Sequence, residues 1–74
     1  MVVGYNPDNP QRNLPEGFYG DIKDPNKFHR FVRMGNDEGT WFHFECGEGL
    51  VFDAQYLVCN WPDQADTSYL GNPG

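Results

Sequence analysis

Cys46 and Cys59 bracket the segment Gly-Glu-Gly-Leu-Val-Phe-Asp-Ala-Gln-Tyr-Leu-Val, and this pair constrains the chain more than any other feature. A 74-residue chain makes one domain, and it buries too little surface on folding to be held comfortably by apolar contacts alone. It needs a staple. With two cysteines in the whole sequence, a disulfide has a single possible connectivity. Closing a loop of that size contributes about 3 kcal/mol in the chain-entropy model, which is large against a marginal total. A crosslinked pair implies an oxidising compartment, whereas a free pair fits the cytosol equally well.

Trp61 and Pro62 follow the second cysteine closely. A flat indole held beside a crosslink presents apolar area at little entropic cost, which suits stacking on a sugar ring. Aromatic residues make up 16% of the chain, high for so small a domain and consistent with such a surface. Only Val2 and Val3 follow Met1, so no apolar run resembles a signal peptide or a membrane span. The chain is then either cytosolic or an excised mature segment with an added start Met, and we read it as excised. Eleven acidic residues against five basic give a net charge of -6. That balance repels phosphate backbones and anionic membrane surfaces, which argues against nucleic acid and membrane as partners. Lys27, Arg30 and Arg33 do cluster, but they read as the solvated side of a strand.

Residues 1–13 hold Pro7, Pro10, Asn6, Asn9 and Asn13 with little apolar content, the composition of an extended N-terminal arm. Residues 68–74 read as a flexible C-terminal tail, leaving 14–67 as the folded domain. Within it, Thr40-Trp-Phe-His-Phe-Glu-Cys46 alternates, with Phe42, Phe44 and Cys46 on one face and Trp41, His43 and Glu45 on the other. Lys27 to Met34 is its expected antiparallel partner across the turn Gly35-Asn-Asp-Glu-Gly39. A shorter hairpin pairs Leu50–Phe52 with Leu57–Cys59, the turn between them stabilised by the Asp53 carboxylate. Segments near Pro15, Gly17, Gly20, Pro25 and Pro62 are too punctuated for helices of any length. The expected fold is a small disulfide-stapled all-β domain: a longer antiparallel hairpin or three-stranded sheet, then a short β-hairpin, with at most one helical turn. Phe28, Phe31, Phe42, Phe44 and Phe52 are expected to form the core.

From about Leu14 to Thr67 the chain resembles the type-2 chitin-binding, or peritrophin-A, domain, also known as carbohydrate-binding module family 14. The specific part is Cys46-x-x-Gly-Leu-Val-Phe-Asp-x-x-x-x-x-Cys59-x-Trp-Pro62, similar to the family's fourth-to-fifth cysteine segment. Upstream, Pro15-Glu-Gly-Phe-Tyr-Gly20 and Asp24-Pro-Asn-Lys-Phe-His-Arg-Phe-Val32 resemble its opening loop and first long strand. The family pattern has six cysteines in three bridges. Aligning the motifs puts Leu14, Pro25, Phe31 and Thr67 where the first, second, third and sixth would stand. The family pairs first with third and second with sixth, so both partners of each missing bridge are absent together. An apolar contact between Leu14 and Phe31 is the expected substitute for one bridge. Pro25 restricts the unfolded chain, partly offsetting loss of the other.

The resemblance implies non-catalytic binding of chitin or a related polysaccharide by a secreted, extracellular module that needs no cofactor. The module is expected to be a monomer in isolation and open to repetition in a parent chain. Trp61 is the leading ligand contact, unless it packs over the Cys46–Cys59 bridge as core. The family's hevein-like hairpin implies contacts at Asp53, Gln55 and Val58. Gln55 stands where the family often has an aromatic, with Tyr56 beside it. Asn60 and Asp53 have hydrogen-bonding groups for sugar hydroxyls, or they cap local turns. Trp41 and His43 either extend the stacking surface or cover a second apolar cluster, and cover is the reading preferred.

Three other classes compete. Cys46, Cys59, His29 and His43 could satisfy tetrahedral zinc, but zinc ligands come in close pairs on a turn, and these are scattered. Glu45, Glu48 and Asp53 supply carboxylates, yet a glycosidase needs two of them about 5 to 9.5 Å apart across a bound sugar, and so small a domain has no room for the cleft. The remaining alternative is a structural or protein-interaction module on the same scaffold, in a cuticle, mucus, silk or venom protein, with the sugar site lost. On the crosslinked reading, reduction should lower the melting temperature markedly, and a melting curve unchanged by reductant would refute it.

Overall fold

The computed structural model describes residues 3–72, and these contain five β-strands and no helix. Strands β1 (Gly17–Gly20), β2 (Lys27–Arg33) and β3 (Gly39–Glu45) form an antiparallel sheet in that order. Strands β4 (Val51–Asp53) and β5 (Val58–Asn60) form a separate two-stranded antiparallel hairpin. Both expected hairpins are therefore present, and the upstream Gly-Phe-Tyr-Gly segment supplies the third strand. The nearest approach to a helix follows β5, where the Gln64 and Ala65 amides both donate to the Trp61 carbonyl at 3.0 Å.

Pairing of β2 with β3 is set by side chains that meet in register. Lys27 faces Glu45, Phe28 faces Phe44, His29 faces His43 and Phe31 faces Trp41; opposite charges and aromatic pairs directly across an antiparallel ladder each stabilise it modestly. The connecting turn is closed by the Met34 amide donating to the Glu38 carbonyl at 2.9 Å. Gly39, at the start of β3, lies directly under the Phe31 ring, and any Cβ there would collide with it.

Cys46 and Cys59 are bonded, with Cα atoms 5.7 Å apart. The bond joins the end of β3 to the middle of β5 and sits in a core of Cys46, Phe52 and Tyr69. The two sheets also meet through three nearly parallel rings. Phe28 stacks on Phe44 at 5.3 Å and on Phe52 at 4.9 Å. Asn26 organises the turn between the sheets: its side-chain amide donates to the carbonyls of Cys46, Gly47 and Leu50 at 3.3, 3.1 and 2.9 Å.

Two expectations of the sequence are overturned. Residues 68–72 do not trail away as a flexible tail, because Tyr69 is fully buried. Its ring lies against Gly20, where a Cβ would strike it. The arm is likewise anchored: Tyr5 is buried, its amide donates to the Gly20 carbonyl at 2.7 Å, and its carbonyl accepts from the Ile22 amide at 3.0 Å. The second correction follows. Phe31 and Phe52 are core as expected and Phe28 is half-buried, but Phe42 and Phe44 are 45% and 43% exposed. Alternation along β3 sorts the residues onto the expected faces, yet the arm covers the Trp41 face, so His29 and Phe31 are buried there instead. That arrangement also places Trp41 as cover for a second aromatic cluster, its indole N–H donating to the Gln11 carbonyl at 2.8 Å.

Non-covalent ties stand at the positions of the absent bridges. The Phe52 amide donates to the Pro25 carbonyl at 2.8 Å, and the Phe52 carbonyl accepts from the Tyr69 hydroxyl at 2.8 Å. Phe52 thus links the segment around Pro25 to the chain just beyond Thr67. Burial and the neighbouring carboxylates of Asp21, Asp53, Asp66 and Asp24 push the Tyr69 pKa up to about 12, keeping its hydroxyl a donor. At the other site, Phe31 packs on Trp41 at 4.9 Å. The Leu14 segment is held by Arg33, whose guanidinium donates to the Leu14 carbonyl at 3.0 Å and whose amide donates to Glu16 Oε1 at 2.9 Å. Tyr69→Phe should cost about 1 kcal/mol for the lost hydrogen bond and Tyr69→Ala about 3 to 5 kcal/mol for the lost ring, measured by denaturant unfolding. Equal, negligible losses in both would contradict this anchoring role.

Candidate functional site

The β4–β5 hairpin carries the sequence-nominated residues, and its turn sorts them inward or outward. Val51 pairs with Asn60, Phe52 with Cys59 and Asp53 with Val58. The Leu57 amide donates back to the Asp53 carbonyl at 2.8 Å, closing a four-residue turn. Leu57 adopts φ 58°, the left-handed region. For a branched, bulky side chain this costs on the order of 1 kcal/mol, and the rest of the hairpin holds it there.

Asp53 points inward. It is 1% exposed, and Oδ1 accepts from the amides of Gln55 at 2.9 Å and Asp66 at 3.2 Å, while the Asn60 side-chain amide lies 3.5 Å from Oδ2. Burial alone would raise its pKa, but the donors of Gln55, Asp66, Asn60 and Tyr56 outweigh it, and the carboxyl is held below its usual range. Asn60 is used internally at both ends, its Oδ1 accepting the Trp61 amide at 2.8 Å. These two side chains organise the turn and the exit from β5.

Trp61, Tyr56, Gln55 and Val58 point outward. Trp61 is 58% exposed and Tyr56 68% exposed, and Leu57 and Val58 are also exposed beside them. Neither Trp61 nor Tyr56 meets another aromatic ring among the described residues. Trp61 is therefore not part of the buried core. It is displayed two residues after Cys59, with its backbone carbonyl fixed by the Gln64 and Ala65 amides. Both cysteine sulfurs are joined to each other, so neither is a free thiolate for zinc. His29 and His43 contact one another on a different part of the sheet.

Sequence reasoning missed the Phe18, Phe42 and Phe44 side chains as surface. All three are exposed on the open face of the larger sheet, and the Arg30 guanidinium lies 5.7 Å from the Phe18 ring centre. The signal for this was the unpaired Trp41 face, which could be recognised as core only once its cover was known.

The geometry is that of a small all-β module with one staple and an outward indole close to it in sequence. The chain belongs to the chitin-binding peritrophin-A domain family, whose family model matches residues 12–67. It is a degenerate member, with one disulfide where the family pattern has three. No curated protein and no solved structure matches the chain significantly.

Because the Asp53 pKa is lowered on folding, its contribution to stability is present above the ordinary carboxylate range and disappears as pH falls through the lower folded value. Asp53→Asn should melt below the wild type at neutral pH, and the gap should narrow as pH falls below the ordinary aspartate range of about 4. A gap independent of pH would show that the charge of Asp53 does not matter.

Proposed function

We propose that this module binds chitin or a similar β-linked aminosugar polymer without catalysis, by stacking a pyranose face on Trp61. The observation that carries the reading is the open indole held beside the Cys46–Cys59 bond. An exposed ring on a rigid anchor loses little freedom when a sugar packs on it. Tyr56 offers a second ring, and Gln55 and Val58 add polar and apolar contact at the turn. Asp53 and Asn60 act through the turn they hold, since their side-chain groups are engaged there.

Family membership supports a polysaccharide partner and an extracellular setting, where the disulfide would persist. A face this small engages only a few sugar units, so affinity per module is modest. Firm attachment then comes from repetition in a parent chain, through effective concentration. The net charge of -6 further favours the cationic, deacetylated polymer. A second reading, a structural or protein-interaction module, draws on the exposed Phe42 and Phe44 and on Gln55 standing where the family often has an aromatic.

Retention on chitin beads separates the two. Trp61→Ala should weaken retention by about tenfold or more, as expected for a buried-on-binding aromatic anchor, and Tyr56→Ala should weaken it less. On chitosan, retention should fall as salt rises, and on acetylated chitin it should not. Folded wild-type protein that passes through both resins would favour the protein-interaction reading.

A further inference from the structure

Beneath the N-terminal arm lies a row of titratable groups, and none of them belongs to the hairpin. His29 and His43 stand opposite each other on β2 and β3, their Nδ1 atoms 2.7 Å apart. His29 is buried, and its Nε2 lies 3.0 Å from Oδ2 of Asp21, which is buried too. The second oxygen of Asp21 accepts the Lys23 and Asp24 amides at 2.8 and 3.2 Å. Over this row lies Tyr5, its ring centre 3.8 Å from that of His29 and 4.6 Å from that of Trp41.

Hydrogen-bond chemistry assigns the protons. An ionised carboxylate only accepts, so His29 carries its proton on Nε2 and donates it to Asp21. A neutral imidazole has one N–H, so His29 Nδ1 is a bare acceptor and His43 Nδ1–H must donate to it. A proton added at His43 Nε2 leaves both bonds intact. With His43 already carrying that proton, a further one at His29 Nδ1 sets two N–H groups against each other and two cations side by side. Only the doubly protonated pair loses that bond.

We propose that Asp21, His29 and His43 form an acid-released clasp that holds the arm over the sheet and, on opening, uncovers Trp41 and Tyr19. The groups facing His29 are Tyr5 from the arm, Asp21 from the end of β1, Lys27 from β2 and His43 from β3. Burial lowers the His29 pKa first, His43 and Lys27 push it the same way, and Asp21 alone opposes them. A histidine with a lowered pKa favours the closed form fully above its ordinary value of about 6.5, and that advantage is lost as pH falls from there through the lower folded value. The arm is otherwise held by the backbone bonds of Gly4, Tyr5 and Ile22, the Trp41–Gln11 hydrogen bond and the exposed Lys23–Asp8 ion pair, a looser set than the continuous β2–β3 ladder, so it opens first.

Amide hydrogen-exchange protection factors, followed from about pH 8 down to about pH 5, test this above the ordinary carboxylate range of about 4. The Tyr5 and Ile22 amides should lose tenfold or more in protection while the β2–β3 ladder keeps its own. In a Trp61→Phe background, Trp41 should become open to acrylamide quenching over the same range. His43→Asn, at an exposed position, keeps an N–H donor toward His29 and removes one cation, so it should move the midpoint down by about one pH unit. His29→Gln keeps a donor for Asp21 and removes the titration, so protection should persist at acid pH. Arm protection that does not change with pH would overturn the proposal. So would loss of protection in the arm and the ladder together, which would make His29 an ordinary core histidine, or a midpoint unmoved in His43→Asn.

Discussion

The bond between Cys46 and Cys59 is the constraint on which the rest of the structure depends. It ties the end of the three-stranded sheet to the second strand of the short hairpin, and Phe52 and Tyr69 pack with it to form the core. A two-stranded hairpin alone is marginal in water. Linked to β3 and backed by the Phe44–Phe28–Phe52 stack, this one becomes a fixed corner. Trp61 leaves that corner at a defined place because the chain before it is crosslinked and the chain after it turns immediately.

Loss of two bridges has been met by redistributing the same task over weaker contacts. Phe52 does this most economically: one peptide unit on each side of its Cα bonds the Pro25 carbonyl and the Tyr69 hydroxyl, joining segments that a disulfide joins in the family pattern. Arg33 and Glu16 hold the start of β1 to the end of β2 in a comparable way. Each such tie contributes about 1 kcal/mol net, less than a crosslink. Several together are needed, and Tyr5 and Tyr69, both buried and both outside the family's matched span, add to them.

Much of the architecture was legible in the sequence because it rests on local signals. Alternation in Thr40–Cys46, the Gly-rich turn before it and the spacing of Cys46, Asp53 and Cys59 led directly to β2, β3 and the stapled hairpin. What was not legible depends on contacts distant in sequence. The polar, proline-containing arm conceals Tyr5, and nothing local marks that residue as the cover for Trp41 and His29. Without that cover the two faces of β3 look alike, and the face with two phenylalanines is naturally taken as core. Asn26 is similar: its three carbonyl partners lie 20 to 24 residues away. At the site, Trp61 is exposed and not core, while Asp53 and Asn60 make the turn hydrogen bonds that the sequence had offered as one alternative.

The central claim is that the crosslinked corner presents Trp61 to a saccharide. It is tested most directly by an NMR titration of the folded, oxidised protein with a short N-acetylglucosamine oligomer, observing both indole N–H signals. The account predicts that the Trp61 signal and the Tyr56 ring shift together with added sugar while the Trp41 signal, bonded to Gln11, stays in place. Shifts centred on Trp41 or on Phe42 and Phe44, with Trp61 unmoved, would contradict it.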